Sequence, residues 1–94
     1  MPNRMTLRIG PYEFNHVTYD SEGDVLYLRI GPSRPADHTH ATPEGHAVRF
    51  DERGEVIGIT IVNAKWLSER DGKVTITFPD RIETSAEALA PALR

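Results

Sequence analysis

The sequence predicts a mainly β, β-rich α+β domain: an antiparallel β-meander sheet of about five to six strands with one short C-terminal helix. Three observations carry this. Apolar residues recur with period two over most of the chain, clusters of turn formers separate those runs, and only the last ten residues switch to helical spacing. With 94 residues there is room for a single domain, residues 1–94. The area scaling for a chain of this mass predicts that folding hides roughly 64% of the extended surface, enough for a two-layer core.

In chain order, Met5, Leu7 and Ile9 alternate with Thr6 and Arg8 until Gly10-Pro11 breaks the run. A strand follows over about residues 12–19. Residues 20–24 are turn formers. Val25 to Ile30 is a strong strand, with Leu26, Leu28 and Ile30 on one face and Val25, Tyr27 and Arg29 on the other. Ala47 to Phe50 is a short strand, and Asp51-Glu52-Arg53-Gly54 reads as a type I turn closed by a left-handed glycine. Val56 to Val62 is the most apolar run and is expected to be central, its second face kept slim by Gly58 and Thr60. Asp71-Gly72 predicts a hairpin turn between Trp66-Leu67 and the alternating run Val74 to Phe78, which Pro79 ends. Near residues 84–93, Thr84 and Glu87 match a capping box, and Ala86, Leu89, Ala90 and Leu93 fall at helical spacing.

Composition narrows the function classes. A hydrophobic fraction of 38% and a charged fraction of 27% suit a folded globular chain. The formal net charge of -3 argues against nucleic acid as a partner, since duplex binders carry a positive footprint. Protonating the four histidines would move that charge to +1. Cysteine is absent, so disulfides, thiolate metal sites and cysteine nucleophiles are excluded. The run from Met1 to Met5 holds no apolar signal segment and no stretch reaches membrane-spanning length. The expected setting is cytoplasmic, with no membrane partner.

Tyr19-Asp20, then Asp24 to Leu28, then Phe50-Asp51 through Gly54 to Ile59 resemble a family of small bacterial proteins, the domain-of-unknown-function family twenty-two eighty-three. The resemblance spans about half the chain. It implies a small β-rich fold with no established enzymatic activity. Because some members are encoded beside small toxin-like proteins, it also implies an antitoxin-like or partner-binding role. Members often carry an acid where Thr60 stands, so a role resting on that acid is not available here. The same residues have structural readings. Asp20 and Asp24 flank a turn whose amides short carboxylates bind, Gly54 and Gly58 serve backbone geometry, and Tyr19 and Tyr27 are half-buried sheet residues.

Segment 31–46 is the unusual passage: a loop this long is uncommon in a compact domain, so it either holds a short strand near Asp37 to Thr42 or serves a function. On an extended chain His38 and His40 project from one face and are candidate ligands for a divalent metal. His46 is the third candidate, Asp37 or Glu44 could complete the shell, and His16 could join from a neighbouring strand. The pattern lacks the spacing of known zinc sites, and a solvated polar edge strand or loop is the stronger reading. No serine sits in a nucleophile elbow, no glycine-rich phosphate loop occurs, and no catalytic residue is assigned. Trp66 with Leu67 is a candidate partner anchor; the area of Trp66 also suits a small core, and that reading is favoured.

Three functional expectations follow. The first is a non-catalytic protein-binding module, concretely a homodimer that engages a small toxin-like protein. The second is a metal-binding protein centred on the His38/His40 segment; otherwise no cofactor is expected. The third is a small enzyme or ligand-binding domain using a cleft between sheet and helix, with no substrate class indicated.

Overall fold

The computed structural model describes residues 5–78 and 80–94. The expected end of a strand at Pro79 and the residues preceding Met5 lie outside them. The chain runs β1 (Leu7–Ile9), β2 (Tyr12–Phe14), β3 (His16–Asp20), β4 (Val25–Arg29), β5 (His38–Ala41), β6 (Ala47–Phe50), β7 (Val56–Val62), α1 (Ala64–Asp71), β8 (Lys73–Phe78), β9 (Asp80–Ser85) and α2 (Ala86–Leu89), closing in a 3₁₀ turn over Ala90–Leu93.

The β-rich antiparallel architecture is as the period-two runs predict. The main sheet has five strands in the order β3-β4-β7-β6-β5. β5, β6 and β7 form a meander that returns β7 beside β4, so the link from β4 to β5 crosses from the middle of the sheet to its far edge. Two hairpins, β1-β2 and β8-β9, complete the strands. Leu26, Leu28, Val48, Phe50, Ile59 and Ile61 line one face of the main sheet and are buried against Phe14, Val74, Ile76 and Leu89 from the hairpins and α2. Burying aliphatic side chains on both sides of this layer supplies the main stabilisation. The opposite face of the sheet is left open.

β4, β6 and β7 fall where the sequence places them, β7 in the centre, and of the two alternatives for segment 31–46 the short strand is present as β5. Four expectations need correction. The strand anticipated over residues 12–19 is two strands, because Asn15 breaks the run and its side chain accepts the Gly31 N–H. Asp71-Gly72 is not a hairpin turn. Gly72, at φ 74°, caps the C-terminus of α1 and donates its N–H to the Ser68 carbonyl, the left-handed geometry serving a helix end as readily as a turn. The capping box is displaced: Ser85, not Thr84, is the N-cap and accepts the Ala88 N–H, while Thr84 pairs with Val74 inside β9. Trp66 is not core. It is 52% exposed, with the Arg70 guanidinium 4.3 Å from its ring centroid, because Ala64 and Ser68 form the buried side of α1. Of the C-terminal stripe Ala86, Leu89, Ala90 and Leu93, Leu89 is buried, Ala86 and Leu93 are half-buried and Ala90 is exposed, while Ala92, outside the stripe, is buried.

Candidate functional site

The family-like motif residues build the frame of the site. Asn63, at φ 58°, begins α1 with no side-chain cap of its own. Asp24 supplies the missing acceptors from the β3-β4 turn: Oδ1 accepts the Lys65 N–H at 2.8 Å and Oδ2 the Trp66 N–H at 3.0 Å. Tyr19 donates its hydroxyl to the same carboxylate at 2.7 Å. Burial pulls the Asp24 carboxyl upward, but the Lys65 N–H, the Tyr19 hydroxyl and the Trp66 N–H outweigh it and hold it below its ordinary value. Burial, reinforced by the adjacent carboxylate, pushes the Tyr19 hydroxyl up to about 12. Asp51 does equivalent work in the β6-β7 turn, where Oδ1 accepts the Arg53 and Glu55 N–H groups at 2.9 Å each. Those donors, the Glu55 N–H foremost, lower its pKa. Asp20 accepts the Glu22 N–H.

The candidate metal ligands are distributed differently from one another. His38 and His40 lie on exposed β5, opposite Phe50 and Val48. The His38 ring stacks on Phe50 at 4.7 Å between centroids and its Nδ1 is 3.2 Å from Asp37, while the His40 ring tilts against Phe78 at 5.7 Å. His46 is buried; its Nδ1 accepts the Val62 N–H at 3.1 Å, so Nε2 carries the ring proton and has no partner among the described residues. Burial lowers its pKa, with Glu44 opposing. Glu44 is engaged by the Thr77 N–H and hydroxyl. Burial opposes ionisation there, yet those two donors bring its pKa down to about 2. His16 sits on β3, at the other edge of the sheet. Among the described residues no group of three or more His, Cys, Asp or Glu is arranged to hold a metal ion. Leu67 is half-buried against the core.

Three clefts bear charged side chains; one, of about 290 Å³, holds both Lys65 and Glu69, and the other two contrast in chemistry. The first of these two, of about 300 Å³, lies between α1, β8 and the β5-β6 turn. Its Asp71 is ion-paired with Arg70 and its Lys73 with Glu83, while Glu44 accepts hydrogen bonds from Thr77. The other, of about 390 Å³, lies on the open face of the main sheet and has no acidic residue in its lining.

Strand register explains this second cleft. His16 pairs with Arg29, Arg29 with Gly58, and Gly58 with Arg49, so the four residues form one row across β3, β4, β7 and β6. Residues directly opposite share a face. Gly58 leaves the centre of the row without a side chain, and the Arg49 side chain lies beside that space, its guanidinium 3.9 Å from where a Cβ of residue 58 would stand. Arg49 also donates to the Arg34 carbonyl at 3.1 Å. Among the described residues neither Arg29 nor Arg49 has a carboxylate within ion-pair distance, whereas Arg34 is held by Asp51. The next row on this face is Thr18, Tyr27, Thr60 and Ala47, with Tyr27 47% exposed. The sequence puts Arg29 and Tyr27 on one face of β4, but the gathering of two arginines around a central glycine depends on cross-strand register, which no local pattern displays.

Among the described residues no helix is long and apolar enough to cross a membrane. No curated protein and no solved structure matches the chain. A family described as Protein of unknown function (DUF2283) matches residues 16–65, which run from the first residue of β3 into α1 and so cover the main sheet and the trans cap at Asp24. The match takes in more than half of the 94 residues, and the chain belongs to this family.

Proposed function

We propose that the chain is a non-catalytic protein-binding module whose working surface is the open face of the five-stranded sheet. The observation that carries this reading is the asymmetry of the sheet. On β4, β6 and β7 one face is given to the core, while the other presents Tyr27 and Val62, 47% and 37% exposed, beside a cleft with uncompensated cations. An exposed aromatic beside apolar and cationic groups is the composition of a recognition surface. Asp24 and Asp51 are committed to a cap and a turn, and Asp71 and Glu83 to ion pairs, and no acid, base and nucleophile set converges on a substrate space among the described residues. In its concrete form the module engages a small toxin-like protein, or a second copy of itself, in an antitoxin-like role.

The test is affinity capture from the native cell with the wild-type chain, Tyr27→Glu and Trp66→Ala, beside sedimentation of each purified protein. A stoichiometric partner, or a concentration-dependent dimer, that survives Trp66→Ala and is lost in Tyr27→Glu is the expected result. A wild-type chain that stays monomeric and emerges without a partner would overturn the reading.

A further inference from the structure

We propose that the cleft over Gly58 is a subsite for a carboxylate, and that the partner segment lying on this face is an extended acidic peptide. The inference rests on the binding-module reading and specifies the chemistry of the partner. Arg29 and Arg49 flank Gly58 in register, with His16 beside Arg29. Residue 58 carries no side chain to separate the two arginines, and the Arg49 guanidinium lies 3.9 Å from where a Cβ of residue 58 would stand. Two like charges with no acid in the lining of their cleft repel one another until an anion arrives. A guanidinium fork matches a carboxylate in geometry as well as charge, and His16, Thr18 and Ser33 add polar groups to the same lining.

The rest of the face argues for a peptide over a polyanion. β7 runs from Gly58 past Thr60 to Val62, with Arg29, Tyr27 and Val25 alongside on β4. Along β4 and β7 the surface therefore changes from cationic at Gly58 to apolar at Val62 over four residues, roughly 13 Å at strand rise, with Asp20 at the β3 end of the apolar row. An extended segment with an acidic side chain and an apolar one four positions apart would present both to this surface, because alternate residues share a face. A nucleic acid offers repeated phosphates and would meet only two arginines on a chain of net charge -3.

The test uses fluorescence anisotropy with a labelled ten-residue peptide carrying two adjacent glutamates and an isoleucine four positions on. Its glutamine counterpart and a ten-nucleotide oligothymidylate serve as comparators. The glutamate peptide should bind at least about tenfold more tightly than the glutamine peptide, as expected of charge-assisted bonds. Arg29→Gln and Arg49→Gln should each erase about that factor for the glutamate peptide alone. Arg29 makes no ion pair among the described residues, so Arg29→Gln remains informative if Arg49→Gln disturbs the fold, and circular dichroism checks both variants. Equal affinity for the two peptides, unchanged affinity in the folded variants, no peptide binding, or tighter binding of the oligonucleotide would each overturn the proposal. If the peptide fails while Tyr27→Glu still strips a captured partner, only this inference falls. If no partner or dimer is found either, the module reading falls with it.

Discussion

The Tyr19 hydroxyl holds the Asp24 carboxylate at 2.7 Å across the β3-β4 turn, and that carboxylate caps a helix 41 residues further along the chain. The pair thereby ties the open sheet to the layer behind it. Asp24 also sits at φ 55°, a conformation aspartate tolerates better than most residues.

Asp24→Ala removes both acceptors of the α1 N-terminus and places alanine in a left-handed backbone. The expected cost is about 2 kcal/mol, from the loss of a cap and charge-assisted bonds. Tyr19→Phe should cost about 1 kcal/mol, one hydrogen bond. Because the two groups serve one network, the double variant should lose less than the sum. Urea denaturation of the three variants checks this, and strict additivity would show that the Tyr19–Asp24 bond contributes nothing of its own.

Thr84 and Ser85 provide a second comparison. The Thr84 hydroxyl is buried and unpartnered among the described residues, while Ser85 caps α2. Thr84→Val should be neutral or stabilising, since it replaces an unsatisfied buried hydroxyl with a methyl of similar shape. Ser85→Ala should cost about 1 kcal/mol. Thermal unfolding of the two variants distinguishes this arrangement from the capping box that the sequence suggests, which predicts the reverse order.

The misplaced cap shows how far local pattern reaches. Period-two runs located β4, β6 and β7 because each buries alternate residues on one face of the sheet, and the pattern itself records that burial. The helix over Ala64–Asp71 was not legible in the same way, because its N-terminal acceptors come from Asp24, on another strand. Without that cap in view, Trp66 and Leu67 read as the end of a strand, and Asp71-Gly72 as its turn. The candidate site was less legible still. Arg29, Gly58 and Arg49 are ordinary residues in their own strands, and only the pairing of β4 and β6 on either side of β7 makes them a row.

Gly58 is the residue that this row depends on. A Cβ there would stand 2.9 Å from the Leu28 carbonyl oxygen, a backbone atom of β4, while meeting the Arg49 side chain only at ordinary contact distance. Gly58→Ala should destabilise the protein by about 1–3 kcal/mol, as overpacking in a close-packed site does. A shift in urea midpoint at constant m-value would report that cost. An unchanged midpoint would mean that β4 and β7 part readily at this point.

His46 should make stability depend on pH near neutrality. Burial depresses its folded-state pKa below the ordinary 6.5, with Glu44 opposing in part, so the unfolded chain binds the proton more readily. Its contribution to stability is therefore complete above about pH 6.5 and is lost as pH falls through the folded-state value. The structural cause is direct: protonating Nδ1 removes the acceptor of the Val62 N–H and places a charge among buried groups. His46→Asn retains an acceptor in roughly the position of Nδ1 but cannot titrate. Its stability should be lower at neutral pH, from the lost ring contacts, and should vary less with pH than that of the wild type between about pH 5 and 7. The exposed rings of His38 and His40 and the half-buried ring of His16 are common to both proteins, so the difference between the two urea-midpoint profiles isolates His46. Parallel profiles would rule out His46 as the source of the pH dependence.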